Sequence, residues 1–166
     1  MYSGTIVPLV TPFDEMGNVS EACVARLIKS LRGEVTALMP ALSTGEGWIL
    51  TERQWRQMIS ATRAHRGGLP VLAGIQLATT AMVVSRAQRA VALGVDAIVV
   101  SSPFGENISQ DQIYRHFAIL RSTIRLPLFI YNEAAISGNR IELDTLMRIC
   151  QLPGVVGIKE SSGSPA

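Results

Sequence analysis

Cysteine, histidine, aromatic rings, long apolar runs and net charge are all scarce in this chain, and each scarcity removes a class of protein. Cys23 and Cys150 stand alone in helical sequence, with no C-x-x-C pair and no histidine at ligand spacing. That excludes a disulfide framework and a zinc module, and is expected of reduced core cysteines in a cytoplasmic protein. No metal or organic cofactor site is legible. The net charge is only +2, from 15 basic and 13 acidic residues scattered among one another. A basic stripe with interleaved aromatics is missing, so nucleic acid is not expected as a partner. No apolar run approaches the ~18 residues of a membrane span, so no membrane association is expected. Residues 1–13 lack the basic, apolar and small-residue regions of a signal peptide.

What the chain does have is rhythm. Apolar residues make up 48% of its 166 residues, and they gather in six short runs at 5–10, 35–39, 70–75, 96–100, 127–131 and 155–159. Most runs are nearly continuous in Val, Ile, Leu and Ala, as expected of strands buried on both faces. Between them lie segments with helical spacing at 21–31, 52–64, 81–93, 110–121 and 142–150. Thr51 with Gln54, and Ser109 with Gln112, read as capping boxes. Gly33, Gly67 and Gly94 fall where a left-handed residue ends a helix. Pro70 and Pro127 open strands, where a missing N–H is tolerated. With no low-complexity linker, residues 1–166 form one domain.

Strict alternation of strand and helix implies an α/β fold with a parallel sheet. A doubly wound nucleotide binder would carry G-x-G-x-x-G after its first strand. The first strand here runs instead into Thr11, Pro12, Phe13 and Asp14, which favours a (β/α)8 TIM barrel. Such a barrel takes ~250 residues, so this length provides about six βα units and leaves two strand edges unpaired.

Barrel enzymes build their sites at the C-terminal strand ends. Those ends carry Thr11, Ser43, Thr44, Gly45 and Glu46, Gly74, Ser101 and Ser102, Tyr131 and Asn132, Lys159 and Glu160. Lys159 closes the run that starts at Val155. Facing the barrel interior, its desolvated amine would attack a carbonyl; past the strand, it would be a surface lysine. Tyr131 could relay protons or simply plug the barrel mouth. Residues 43–46 offer two hydroxyls and successive N–H groups for a carboxylate, or an ordinary turn before the Thr51 cap. His65 and His116 sit on helices, away from any strand end, and read as structural or exposed. Trp48 and Trp55 read as packing.

In their order and spacing, residues 4–14, 43–46, 50–53, 70–74, 92–97, 127–132 and 154–163 resemble the dihydrodipicolinate synthase and N-acetylneuraminate lyase family of class I aldolases. The resemblance implies that Lys159 forms an imine with pyruvate or another 2-keto acid and that Tyr131 shuttles protons. It implies too that Ser43, Thr44 and Gly45 hold the substrate carboxylate, with Thr44 completing a hydroxyl relay. Two positions depart from the synthases. Gly105 stands where a relay tyrosine crosses a dimer interface, and Ile136 stands where an arginine binds the aldehyde's carboxylate. Residues 135–138 are more like the lyase branch. Family members run to nearly twice this length, so strands seven and eight are expected to be absent.

The expected function is therefore a Schiff-base lyase or aldolase without a cofactor, cytoplasmic and homo-oligomeric. The alternatives are a catalytically silent homologue that binds only a ligand or partner chain, and a hydro-lyase acting on a sugar-derived keto acid.

Overall fold

The computed structural model describes residues 2–105 and 107–163. The strands are β1 (Ile6–Pro8), β2 (Ala37–Met39), β3 (Leu72–Ile75), β4 (Ala97–Ser101), β5 (Leu128–Asn132) and β6 (Val155–Glu160). They alternate with α1 (Glu21–Ser30), α2 (Glu52–His65), α3 (Thr80–Ala92), α4 (Gln110–Thr123) and α5 (Leu143–Cys150), and a 3-10 turn (Ser43–Gly45) follows β2. Every strand pair is parallel and sequential. β2 meets β3 through a single bridge, Leu38 to Val71. A doubly wound sheet reverses its strand order at a switch point; this one never does, and follows the barrel order.

Period-two alternation divides each strand between two cores. Ile98, Val100 and Ile130 face outward with Ile28, Trp55, Phe117 and Leu120 of the helices. Met39, Leu72, Val99 and Tyr131 face inward, forming the barrel interior with Ala37 and Ala97. Burial on both faces is why these strands read as almost unbroken apolar runs.

The punctuation follows the sequence reading. Thr51 with Gln54 and Ser109 with Gln112 form reciprocal capping boxes. Gly33, Gly67 and Gly94 take φ of +85°, +59° and +71°. β1 is shorter than the apolar run at 5–10, since Pro8 has no N–H to extend the ladder, although the Leu9 N–H still reaches the Met39 carbonyl at 3.1 Å. The cysteines correct an expectation. Cys150 is exposed and Cys23 half-buried, so neither belongs to the core; both occupy the solvent side of amphipathic helices.

Polar anchors tie the helices down. The Trp55 indole donates to the Gly74 carbonyl at 2.9 Å. The buried Arg86 pairs with Glu52 at 2.8 Å and lies 4.8 Å above the Trp55 ring. Buried His116 bonds through Nδ1 to the Thr80 hydroxyl at 2.9 Å, while Nε2 finds no well-aligned partner. Burial lowers its pKa to about 4, and the half-buried His65 pairs with Glu21. No helix among the described residues is long and apolar enough to cross a membrane.

Candidate active site

β5 and β6 deliver two of the candidate side chains together. Tyr131 and Lys159 are register partners, so both project from the same inward face of the pleat. The Lys159 Nζ lies 3.8 Å from the centre of the Tyr131 ring and 3.3 Å from the Ser161 hydroxyl. Tyr131 is almost fully buried, and its hydroxyl reaches the Ser43 Oγ at 2.7 Å. An amine, a phenol and an aliphatic hydroxyl thus meet at the C-terminal mouth of the barrel, although 116 residues separate the first and last along the chain.

Ser43 opens the 3-10 turn after β2, and the chain bends sharply there. Ala41 and Glu46 take left-handed φ of +57° and +53°, and the Gly45 and Gly47 N–H groups both fold back onto the Leu42 carbonyl. Two glycines let this turn press into the mouth. A Cβ on Gly45 would lie 2.6 Å from the Leu9 carbonyl oxygen, and one on Gly74 would lie 2.5 Å from that of Ala41. Thr11 fastens the turn to the end of β1 by donating to the Gly45 carbonyl at 2.7 Å. The first N–H groups of a helical turn have no internal acceptor, so those of Ser43 and Thr44 are available beside the hydroxyls.

The residues singled out by sequence separate into two groups. Lys159, Tyr131 and Ser43 come together. Thr44 is exposed, with no side-chain hydrogen bond among the described residues, and Gly45 contributes close packing. Ser101 and Ser102 are buried, each donating its hydroxyl to a backbone carbonyl. Gly105 adopts φ +140°; its neighbour Glu106 lies outside the described residues. Ile136 carries no charge, and its N–H is taken up by the Glu133 carboxylate.

Sequence reasoning missed the scaffold above Tyr131. Buried Glu133 accepts from the N–H groups of Ile136 (3.0 Å) and Ser137 (3.1 Å), and at 3.4 Å from the amide of buried Gln76. Asn139 then donates to the carbonyls of Pro103, Gly105 and Ser137, knitting the loops after β4 and β5 into one rim. The only advance signal is a Glu followed four residues later by a Ser, a common local pattern.

Comparison with known proteins agrees with this geometry. The profile of the Dihydrodipicolinate synthetase family matches residues 1–165. The chain belongs to that family. A 4-hydroxy-tetrahydrodipicolinate synthase from Phenylobacterium zucineum is 34% identical over 98% of this chain and 55% of its own length. A chloride-inhibited dihydrodipicolinate synthase from Acinetobacter baumannii, solved with pyruvate, superposes with a TM-score of 0.89 at 27% identity, over 96% of this chain and 56% of that one. The 2-keto 3-deoxygluconate aldolase of Picrophilus torridus gives 0.90 at 28% identity, over 98% of this chain and 60% of that one. The fold is thus that of the family's TIM barrels, and the chain spans little more than half the length of these relatives.

Proposed function

We propose that this chain carries the imine-forming residues of a class I lyase or aldolase acting on pyruvate or another 2-keto acid. The observation that supports this reading best is the contact of Lys159, Tyr131 and Ser43 inside one barrel mouth. The neutral amine of Lys159 attacks the keto carbon to give a carbinolamine. Tyr131, bonded to Ser43, supplies the proton that lets the former carbonyl oxygen leave as water, and the iminium forms. The substrate carboxylate lies on the free N–H groups and hydroxyls of Ser43 and Thr44. The iminium then draws electrons from the adjacent carbon; a proton leaves it, and the resulting enamine attacks an aldehyde. Cleavage runs the same steps in reverse. The amine belongs to the chain itself, so the scheme calls on no cofactor.

The most direct test is borohydride reduction of the protein with saturating pyruvate, followed by peptide mass spectrometry. A reduced pyruvate adduct on Lys159 is expected; an unmodified Lys159 would overturn the proposal and favour a silent homologue. A second reading, with a sugar-derived keto acid as the donor of the imine, is supported by Ile136 in place of an arginine and by the likeness to the Picrophilus torridus aldolase. Trapping with 2-keto-3-deoxy sugar acids, compared with pyruvate at equal concentration, separates the two. We place this chemistry in the cytoplasm and in a homo-oligomer, for which sedimentation of the purified protein is the check.

A further inference from the structure

Resting on that reading, we infer that Asn132 and Glu160 form a register clasp that holds Lys159 against Tyr131, making both positioning residues for imine formation. They are the next pair along the ladder, so Asn132 faces Glu160 directly after Tyr131 faces Lys159. The Asn132 amide donates to Glu160 Oε2 at 2.8 Å and to the Ile141 carbonyl at 3.2 Å, while its oxygen accepts the Ile141 N–H at 2.9 Å. The other Glu160 oxygen accepts the Ser162 N–H at 2.6 Å, and the Ser161 N–H returns to the Asn132 carbonyl at 2.9 Å. One buried amide therefore ties the end of β5, the start of the α5 approach and the end of β6 together.

The need for such a device follows from the position of β6. Among the described residues β6 pairs with β5, and that ladder sets its register. That register is already broken once, beside Leu128 and Phe129. A slip of one residue turns every side chain of a strand to the opposite face, which would carry Lys159 out of the mouth and put Glu160 in its place. The clasp lies one residue from Lys159, where it most strongly resists that slip. The charge on Glu160 is maintained there. Desolvation works against it, but the Ser162 hydroxyl and N–H, the Asn132 amide and Arg140 together hold its carboxyl below the usual range.

The test uses the full chain and the variants N132A, E160A and E160Q, with two readouts. The first is the rate of borohydride trapping at Lys159 across a pyruvate series. Because the carboxylate cradle is untouched, N132A and E160A should lower the limiting rate roughly 10- to 100-fold with little change in the half-saturating pyruvate concentration. E160Q keeps an acceptor for the Asn132 amide and should recover most of the rate. The second readout is acetic anhydride labelling of Lys159 without pyruvate, which N132A and E160A should accelerate and E160Q should leave near wild type. Trapping and labelling at wild-type levels in N132A and E160A would overturn the clasp, as would a loss in E160Q equal to that in E160A. If the wild-type chain traps no pyruvate, the functional reading fails, and the labelling pattern still decides whether the clasp holds the lysine.

Discussion

Ser43 and Thr44 are adjacent hydroxyl residues with different places in the structure, and their difference is measurable. Only Ser43 touches the Tyr131 hydroxyl, at 2.7 Å. Ser43→Ala should therefore slow imine trapping by roughly tenfold or more by removing one link of the proton path. Thr44→Ala should chiefly raise the pyruvate concentration needed, through loss of a carboxylate contact. Equal effects on both parameters in the two variants would contradict the arrangement. Lys159 and Tyr131 stood out at the ends of apolar runs, but that position alone left a surface lysine and a mouth-plugging tyrosine open. The family resemblance singled them out, and the structure brings them together as register partners on one face. The division between Ser43 and Thr44 was not legible. It depends on the left-handed Ala41 and Glu46, and neither residue type announces that conformation. Glu133 was hidden for a related reason: an acidic residue just past a strand reads as solvated until the turn it closes is seen.

Among the elements, strands and helices were readable nearly to their ends, since the capping boxes and helix-ending glycines are local signals with local causes. What could not be read is how closely one loop approaches another element's backbone. Gly74 shows this. In the sequence it looked like an active-site strand end; in the structure its missing side chain admits the turn that carries Ser43. The Gly74→Ala methyl would meet the backbone oxygen of Ala41 at 2.5 Å, and backbone on both sides gives it little room to relax. Overpacking of this kind costs roughly 1–3 kcal/mol or more. Gly74→Ala should lower the urea midpoint and, by displacing Ser43, reduce trapping beyond what the lost stability explains. A variant that melts and traps like wild type would show that the turn adapts.

For the whole molecule, two features act on stability from opposite ends: an open surface at β6 and a buried imidazole in the helical layer. Val156 and Ile158 on β6 are 50% and 42% exposed, and Leu143 and Met147, a helical turn apart on α5, more so. Exposed apolar side chains grouped on neighbouring elements invite association, so the Val156→Lys and Ile158→Lys double variant should elute as a smaller species than wild type in concentrated size-exclusion runs. His116 sets the response to acid. Folding keeps its ring neutral, with a pKa of about 4 against 6.5 for the free side chain. The excess of bound protons below pH 6.5 therefore belongs to the unfolded chain. Stability is fully present above about pH 6.5, declines as the pH falls toward 4, and levels off below that, when both states are protonated. The span corresponds to roughly 3 kcal/mol at most. Glu160, whose carboxyl is held low, adds a loss of the same sign as the pH falls through its folded range. Urea midpoints measured from about pH 7 to about pH 4.5 should show this limb in wild type, and His116→Asn should flatten it while lowering the neutral-pH midpoint through loss of the Thr80 contact and of packing against Phe117. An acid limb of unchanged slope in His116→Asn would assign the proton uptake to the carboxylates instead.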